Sequence, residues 1–205
     1  MKIVVGFLLA LSIATPTFAK TVKVIQPLQA GLAGNIQITE TRVSLNEATK
    51  IVFEKLEAKA AKKREEAGLA PPTPGAIGDR PKPDQYATLP ITQMFPLIVD
   101  DQARERGLSA GKNVRLTVTF DTLKTADAGM VLLLGSADQL AGEVNVEDAT
   151  TGEILGAYYI DILNTRSGLF GLAARGTGVR EKLAAEFSKR LIQQLSASKK
   201  KRAKS

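Results

Sequence analysis

The chain has 205 residues, with 28 Lys plus Arg against 21 Asp plus Glu for a formal net charge of +7, and it contains no Cys, His or Trp. That length, with 44% hydrophobic residues, supports one domain with a real core and excludes collagen-like, disordered and disulfide-stapled classes. Lacking Cys and His, it has no thiolate nucleophile, no Ser-His or Cys-His machinery, no zinc site of the finger or deaminase type, and none of the usual ligands for haem or iron–sulfur clusters.

Lys2 followed by an apolar run from Ile3 to Ile13, then Thr17-Phe18-Ala19, reads as a secretory signal peptide over residues 1–19. Cleavage is expected between Ala19 and Lys20. The apolar run, about 11 residues, is too short to cross a hydrocarbon core that needs about 20. No Cys follows it, so lipid attachment through a lipobox is excluded. The expected location is the periplasm, or outside the cell, with no transmembrane segment after signal removal.

Thr21 to Ile25 and Asn35 to Val43 alternate apolar and polar residues around Gly31 and Gly34, which predicts two short strands joined by a turn. Ser44-Leu45-Asn46-Glu47 has the spacing of a capping box, so a helix is expected to start there. Its apolar stripe would be Leu45, Ala48, Ile51, Val52 and Leu56, with a stop at Gly68 and a charged end, Lys59 to Glu66, projecting into solvent. Five prolines between Pro71 and Pro83 define a Pro-rich loop over 70–92, read as a surface excursion. Met94 to Arg106 has a helical apolar face with Pro96 in its first turn.

The clearest strand is Asn113 to Asp121, where Val114, Leu116, Val118 and Phe120 alternate with polar residues. Leu140 to Glu147 and Ile154 to Leu163 flank the turn cluster Asp148 to Gly152, which predicts an antiparallel hairpin. The apolar run Ala128 to Ser136 reads as a buried strand end or a helical corner. Leu183, Phe187, Leu191 and Leu195, with Ala184 and Ile192, predict a final helix laid on the sheet. Grouped strands and helices point to an α+β fold, with an antiparallel sheet of about five strands and two or three helices on one face. The expected organisation is a signal peptide at 1–19, a single domain over 20–198 and a basic tail over 199–205.

Few constellations survive as sites. The glycines of 168–178 lack the Gly-Lys-Ser/Thr of a phosphate loop and the dinucleotide spacing, so no cofactor is expected. The segment Gly168, Leu169, Phe170, Gly171 and Leu172 is instead the candidate contact loop. The tail residues Lys199, Lys200, Lys201, Arg202 and Lys204 are candidates for weak contact with an anionic surface. Nucleic acid is not expected, since no aromatics are interleaved with the basic residues. Asp161 stands out in an apolar strand and is expected at a sheet edge or paired with a base such as Arg166. No catalytic or metal-binding residue is assigned.

Gly135-Ser136-Ala137-Asp138-Gln139-Leu140, then Val144 to Leu155 with its Asp148-Ala149-Thr150-Thr151-Gly152-Glu153 turn, then Ser167-Gly168-Leu169-Phe170-Gly171 and a closing amphipathic helix, resemble a group of uncharacterised bacterial envelope proteins, many of them lipoproteins. The resemblance covers roughly the C-terminal half. It implies an envelope compartment and a sheet-plus-helix fold, and carries no activity with it. This chain departs from the group by lacking the lipid-bearing Cys and by its Pro-rich insert. The expected function is that of a non-enzymatic accessory or binding protein of the cell envelope, contacting a protein partner or an envelope surface. The alternative is a carrier of a small apolar or lipid-like ligand held between sheet and last helix, and the third reading is a carboxylate- or Ser-based enzyme. Removing Lys2 and the five tail charges leaves 22 basic against 21 acidic residues in 20–198. The domain itself is expected to be nearly neutral.

Overall fold

A computed structural model describes residues 17–66, 68, 89–125, 137–165 and 179–196. In chain order these form β1 (Thr17–Gln26), β2 (Ile36–Leu45), α1 (Glu47–Glu66), α2 (Ile91–Glu105), β3 (Lys112–Lys124), β4 (Ala137–Asp148), β5 (Ile154–Thr165) and α3 (Val179–Ser196). The architecture is α+β, as the pattern predicts, with strand order β1-β5-β4-β3-β2. The sheet is mixed rather than wholly antiparallel, because β2 runs parallel to β3 while the other three pairings are antiparallel.

That parallel pair overturns the expected turn-joined strands at the N-terminus. β1 and β2 are the two opposite edges of the sheet. The segment between them crosses the sheet end, where Gln29 N–H donates to the Leu155 carbonyl and Gly34 N–H to the Leu195 carbonyl. Parallel strands need a long crossover, and α1 and α2 supply it between β2 and β3. Edge placement also explains the weak alternation of β1, whose Val24 and Ile25 remain 47% and 51% exposed.

β3 behaves as its alternation dictates. Val114, Leu116, Val118 and Phe120 are all fully buried, and a bulge between Phe120 and Thr122 resets the parity so that Leu123 is buried too. Opposite Phe120 stands Gly142. A Cβ there would collide with the Thr119 carbonyl and lie 3.0 Å from the Phe120 Cα, so close strand approach at the bulge requires glycine.

The three helices bury one face against the sheet. Ile91, Met94, Phe95, Ile98, Val99 and Ala103 form the buried stripe of α2. Leu183, Ala184, Phe187, Leu191, Ile192 and Leu195 form that of α3, as expected. α2 starts three residues before its predicted boundary, so the Pro-rich stretch ends by Pro90. Pro96 then lies inside the helix, where it cannot donate to the Thr92 carbonyl. Phe53 of α1, Phe95 of α2 and Phe187 of α3 converge on Phe120 with ring centroids 6.2, 5.1 and 5.0 Å away. Phe95 and Phe187 also meet, at 5.7 Å.

α1 is capped by Asn46, whose Oδ1 accepts the Thr49 N–H at 2.8 Å. Ser44 is not the cap: it lies in β2, and its hydroxyl bonds Thr119 Oγ1 and the Val118 carbonyl. The helix is accordingly rotated from the expected stripe, burying Thr49 and Phe53 while leaving Ile51 47% exposed. Gly68 adopts φ +66 and its N–H bonds the Glu65 carbonyl, the C-terminal stop the sequence signals.

Candidate contact surface

The two ends of the sheet are built differently. At one end the β4–β5 turn is locked by Asp148, whose Oδ1 accepts the Thr150 and Thr151 N–H groups while Oδ2 pairs with Lys112 Nζ at 2.6 Å. The Lys112 ammonium, aided by those two backbone donors, holds the Asp148 carboxyl down at about 2. Gly152 takes φ +76 there and returns its N–H to the Asp148 carbonyl. Ala149 N–H to the Asn113 carbonyl and Lys112 N–H to the Asn35 carbonyl complete the closure.

At the other end, Thr165 of β5 pairs with Thr17 on one side and with Ala137 on the other. Thr17 is the first described residue after 1–16, Ala137 the first after 126–136 and Thr165 the last before 166–178. The candidate contact loop Gly168 to Leu172 belongs to the last of these and lies outside the described residues, as do the Ala128 to Ser136 run and the tail Lys199 to Lys204. The expected cleavage residues fall in β1, where Ala19 pairs with Leu163 and Lys20 with Ile162. A chain starting at Lys20 keeps the ladder from Lys20 onward.

Just behind this end, the helix starts meet on a cluster of charges that sequence reading did not find. Glu57 of α1 accepts the Ile91 N–H at the start of α2, at 2.8 Å, and receives Arg180 Nη1 at 3.1 Å. Arg180 also donates to the Glu181 carboxylate through Nε and Nη2, at 3.0 and 2.8 Å. Arg180 and Glu181 are each 6% exposed. No local pattern in the sequence brings residues 57, 91 and 180 together, because each sits on a separate helix.

The sheet face away from the helices is polar. Glu40 bonds Arg42 and Arg115, with Arg115 reaching Glu147 as well. Arg42 and Arg115 hold the Glu40 carboxyl below its ordinary range, and Glu40 in turn raises the Arg115 guanidinium. Further along, the Tyr159 hydroxyl donates to Asp121 Oδ1 at 3.2 Å and Gln139 Nε2 donates to Asp161 Oδ1 at 2.9 Å. Burial first, and the Asp121 charge second, raise the Tyr159 phenol. Asp161 sits in β5, between β1 and β4, so its partner is an amide from the neighbouring strand rather than an edge position. Arg166 lies outside the described residues. Asp100 pairs with Arg104 one turn on, at 3.1 Å, the solvated surface role its spacing implies.

Among the described residues no group of three or more acidic side chains could hold a metal ion. No described helix is long and apolar enough to cross a membrane. The space between the sheet and α3, where a carried ligand would sit, is filled by Phe120, Ile160, Ile162, Phe187, Leu191 and Leu195, each 0% exposed.

No family model matches the chain, and no curated protein matches it. Among solved structures, protein XCC0632 from Xanthomonas campestris, assigned to DUF330, is 13% identical over 88% of this chain and 96% of its own, with a TM-score of 0.47. A PelC dodecamer variant from Paraburkholderia phytofirmans is 11% identical over 87% of this chain and 98% of its own, with a TM-score of 0.46. A candidate lipoprotein from Caulobacter crescentus CB15 is 16% identical over 53% of this chain and 82% of its own, at 0.34.

Proposed function

We propose that this chain is an exported accessory protein of the bacterial cell envelope, without catalytic chemistry, that contacts a protein partner or an envelope surface through the sheet end bearing Gly168 to Leu172. The observation that supports this reading is the pairing of Ala137 with Thr165, where β4 begins and β5 ends. In sequence, the stretch holding Met130 to Leu134 precedes Ala137, and the stretch holding Leu169, Phe170 and Leu172 follows Thr165. Two glycine-bounded apolar segments leaving one end of a sheet suit a contact role. The filled space under α3 favours contact over the carrier reading.

Export is tested by N-terminal sequencing of the secreted or periplasmic material, which should begin at Lys20; a start at Met1 refutes it. The contact role is tested by replacing Leu169 and Phe170 with Ser. The variant should keep its thermal midpoint and lose a partner that the unaltered protein retains from envelope extracts. Equal retention by both forms refutes the loop assignment. Copurified lipid, seen by mass spectrometry, would return the carrier reading to first place.

A further inference from the structure

The signal peptide read from the sequence ends inside a paired strand. β1 pairs residue by residue with β5 from Thr17, opposite Thr165, to Val24, opposite Tyr158. The Ala19–Lys20 bond, where cleavage is expected, lies between the pairs Ala19–Leu163 and Lys20–Ile162. Three paired residues therefore stand on the signal side of the bond, and five on the mature side before the bulge that follows Val24.

The mature side is the firmer of the two. Val22 stands opposite the fully buried Ile160 and packs against the core. Its neighbours Thr21 and Lys23 are exposed, so Val22 is the residue that ties this stretch of β1 to the interior. Local opening runs inward from strand ends. Freeing the Ala19–Lys20 bond therefore means peeling β1 from Thr17 up to the anchor at Val22.

We propose that docking of β1 on β5 shields this cleavage site, so that the chain is processed only before its sheet is complete. The inference rests on the export reading above and does not involve the Gly168 to Leu172 loop. Hydrolysis breaks the Ala19–Lys20 C–N bond: the oxygen of water joins the Ala19 carbonyl carbon, which becomes a carboxylate, and the Lys20 nitrogen leaves as an ammonium. A peptidase must first hold that segment as an extended strand through its backbone groups. Among the described residues β1 has no neighbour on its outer edge, but the groups facing β5 are already engaged, and both new chain ends would stay laddered to the same strand. A chain met by the peptidase while extended starts at Lys20, and one that folds first keeps its signal.

The test is order of addition, with the full chain from Met1 to Ser205 unfolded in urea and a purified bacterial signal peptidase. Peptidase present as the chain is diluted out of urea should yield protein starting at Lys20. Peptidase added after refolding should cleave at least about tenfold more slowly, because cleavage then tracks the open fraction. Val22→Ser weakens the anchor and should speed cleavage of the refolded chain about fivefold, while leaving cleavage during dilution unchanged. By hydrogen exchange, those amides of Leu163 to Thr165 that face β1 should exchange faster in protein starting at Lys20 than in the full chain. Equal cleavage in the two orders, no gain from Val22→Ser, or equal exchange overturns this inference and leaves the export reading standing. Cleavage in neither order overturns the export reading and this inference with it.

Discussion

Phe120 is the residue on which three helices converge, so Phe120→Ala should be the most damaging single truncation of the core. The side chain is fully buried and meets Phe95 and Phe187 edge-on at 5.1 and 5.0 Å, with Phe53 tilted at 6.2 Å. Phe→Ala changes in protein cores cost about 3–5 kcal/mol in transfer and cavity terms. Aromatic pairs add about 0.5–1.5 kcal/mol each. The Gly142 backbone opposite Phe120 cannot move in to fill the gap without disturbing the bulge, which places the cost near the top of the range, at about 5 kcal/mol. For a domain of this size that corresponds to roughly 10–20 °C in midpoint. The assay is urea unfolding followed by circular dichroism, with Phe187→Ala and the double variant measured alongside. The two single losses should not add, since the rings share a contact. A loss below about 2 kcal/mol, or strict additivity with Phe187→Ala, would refute the idea of one shared aromatic centre.

Gly142→Ala, although it adds only a methyl group, should destabilise by about 1–3 kcal/mol, because the new Cβ meets backbone atoms of Thr119 and Phe120 that cannot rotate away; a neutral outcome in the same unfolding assay would show that the bulge is soft. Asp148 titrates at about 2 in the fold against an ordinary value of 3.8, chiefly through Lys112. Its contribution to stability is thus complete above pH 4 and drains away as pH falls through 2, and Asp148→Asn should flatten the acid limb of the stability curve in that window. If the limb is unchanged, the Lys112 pair is not formed in solution. Arg180→Ala leaves the buried Glu181 carboxylate without its guanidinium and removes a partner of the part-buried Glu57, and should cost about 3 kcal/mol, whereas Glu57→Gln keeps an acceptor for the Ile91 N–H and should cost less, about 1 kcal/mol; equal losses would mean that the cluster works by packing rather than by charge.

The fold class, the hairpin around Asp148 to Gly152 and the buried faces of β3 and α3 could all be read from the sequence. Each depends on a period of two or of 3.6 residues imposed by burial on one side. Where burial is partial, the pattern blurs. β1 and β2 are edge strands, so their apolar residues carry little information about which neighbour they pair with, and proximity in sequence suggested a turn where residues 27–35 instead cross the sheet end from one edge to the other. The Ser44 reading failed for a local reason: Ser44 is still paired to β3 in the sheet, and Asn46, two residues later, is the first residue free to cap. The Glu57, Arg180 and Glu181 cluster was invisible because it is a tertiary contact among helices 34 and 123 residues apart in its two hydrogen bonds to Glu57.

The two sheet ends differ in how their connections are bonded. Antiparallel β3, β4 and β5 send their connections alternately to opposite ends. The end with the β4–β5 turn is consumed by short-range bonding: the Asp148 carboxylate, the Gly152 N–H and the Asn35, Leu155 and Leu195 carbonyls are all satisfied there. That end nonetheless presents apolar surface, since Val24 and Ile25 of β1 and Ile154 of β5 are 47%, 51% and 45% exposed. The stretches that precede Ala137 and follow Thr165 in sequence, Met130 to Leu134 and Leu169 to Leu172, place apolar residues beside glycines. Charge is unevenly distributed along the sequence: residues 20–198 hold 22 basic against 21 acidic residues, while 199–205 hold five basic residues and no acid.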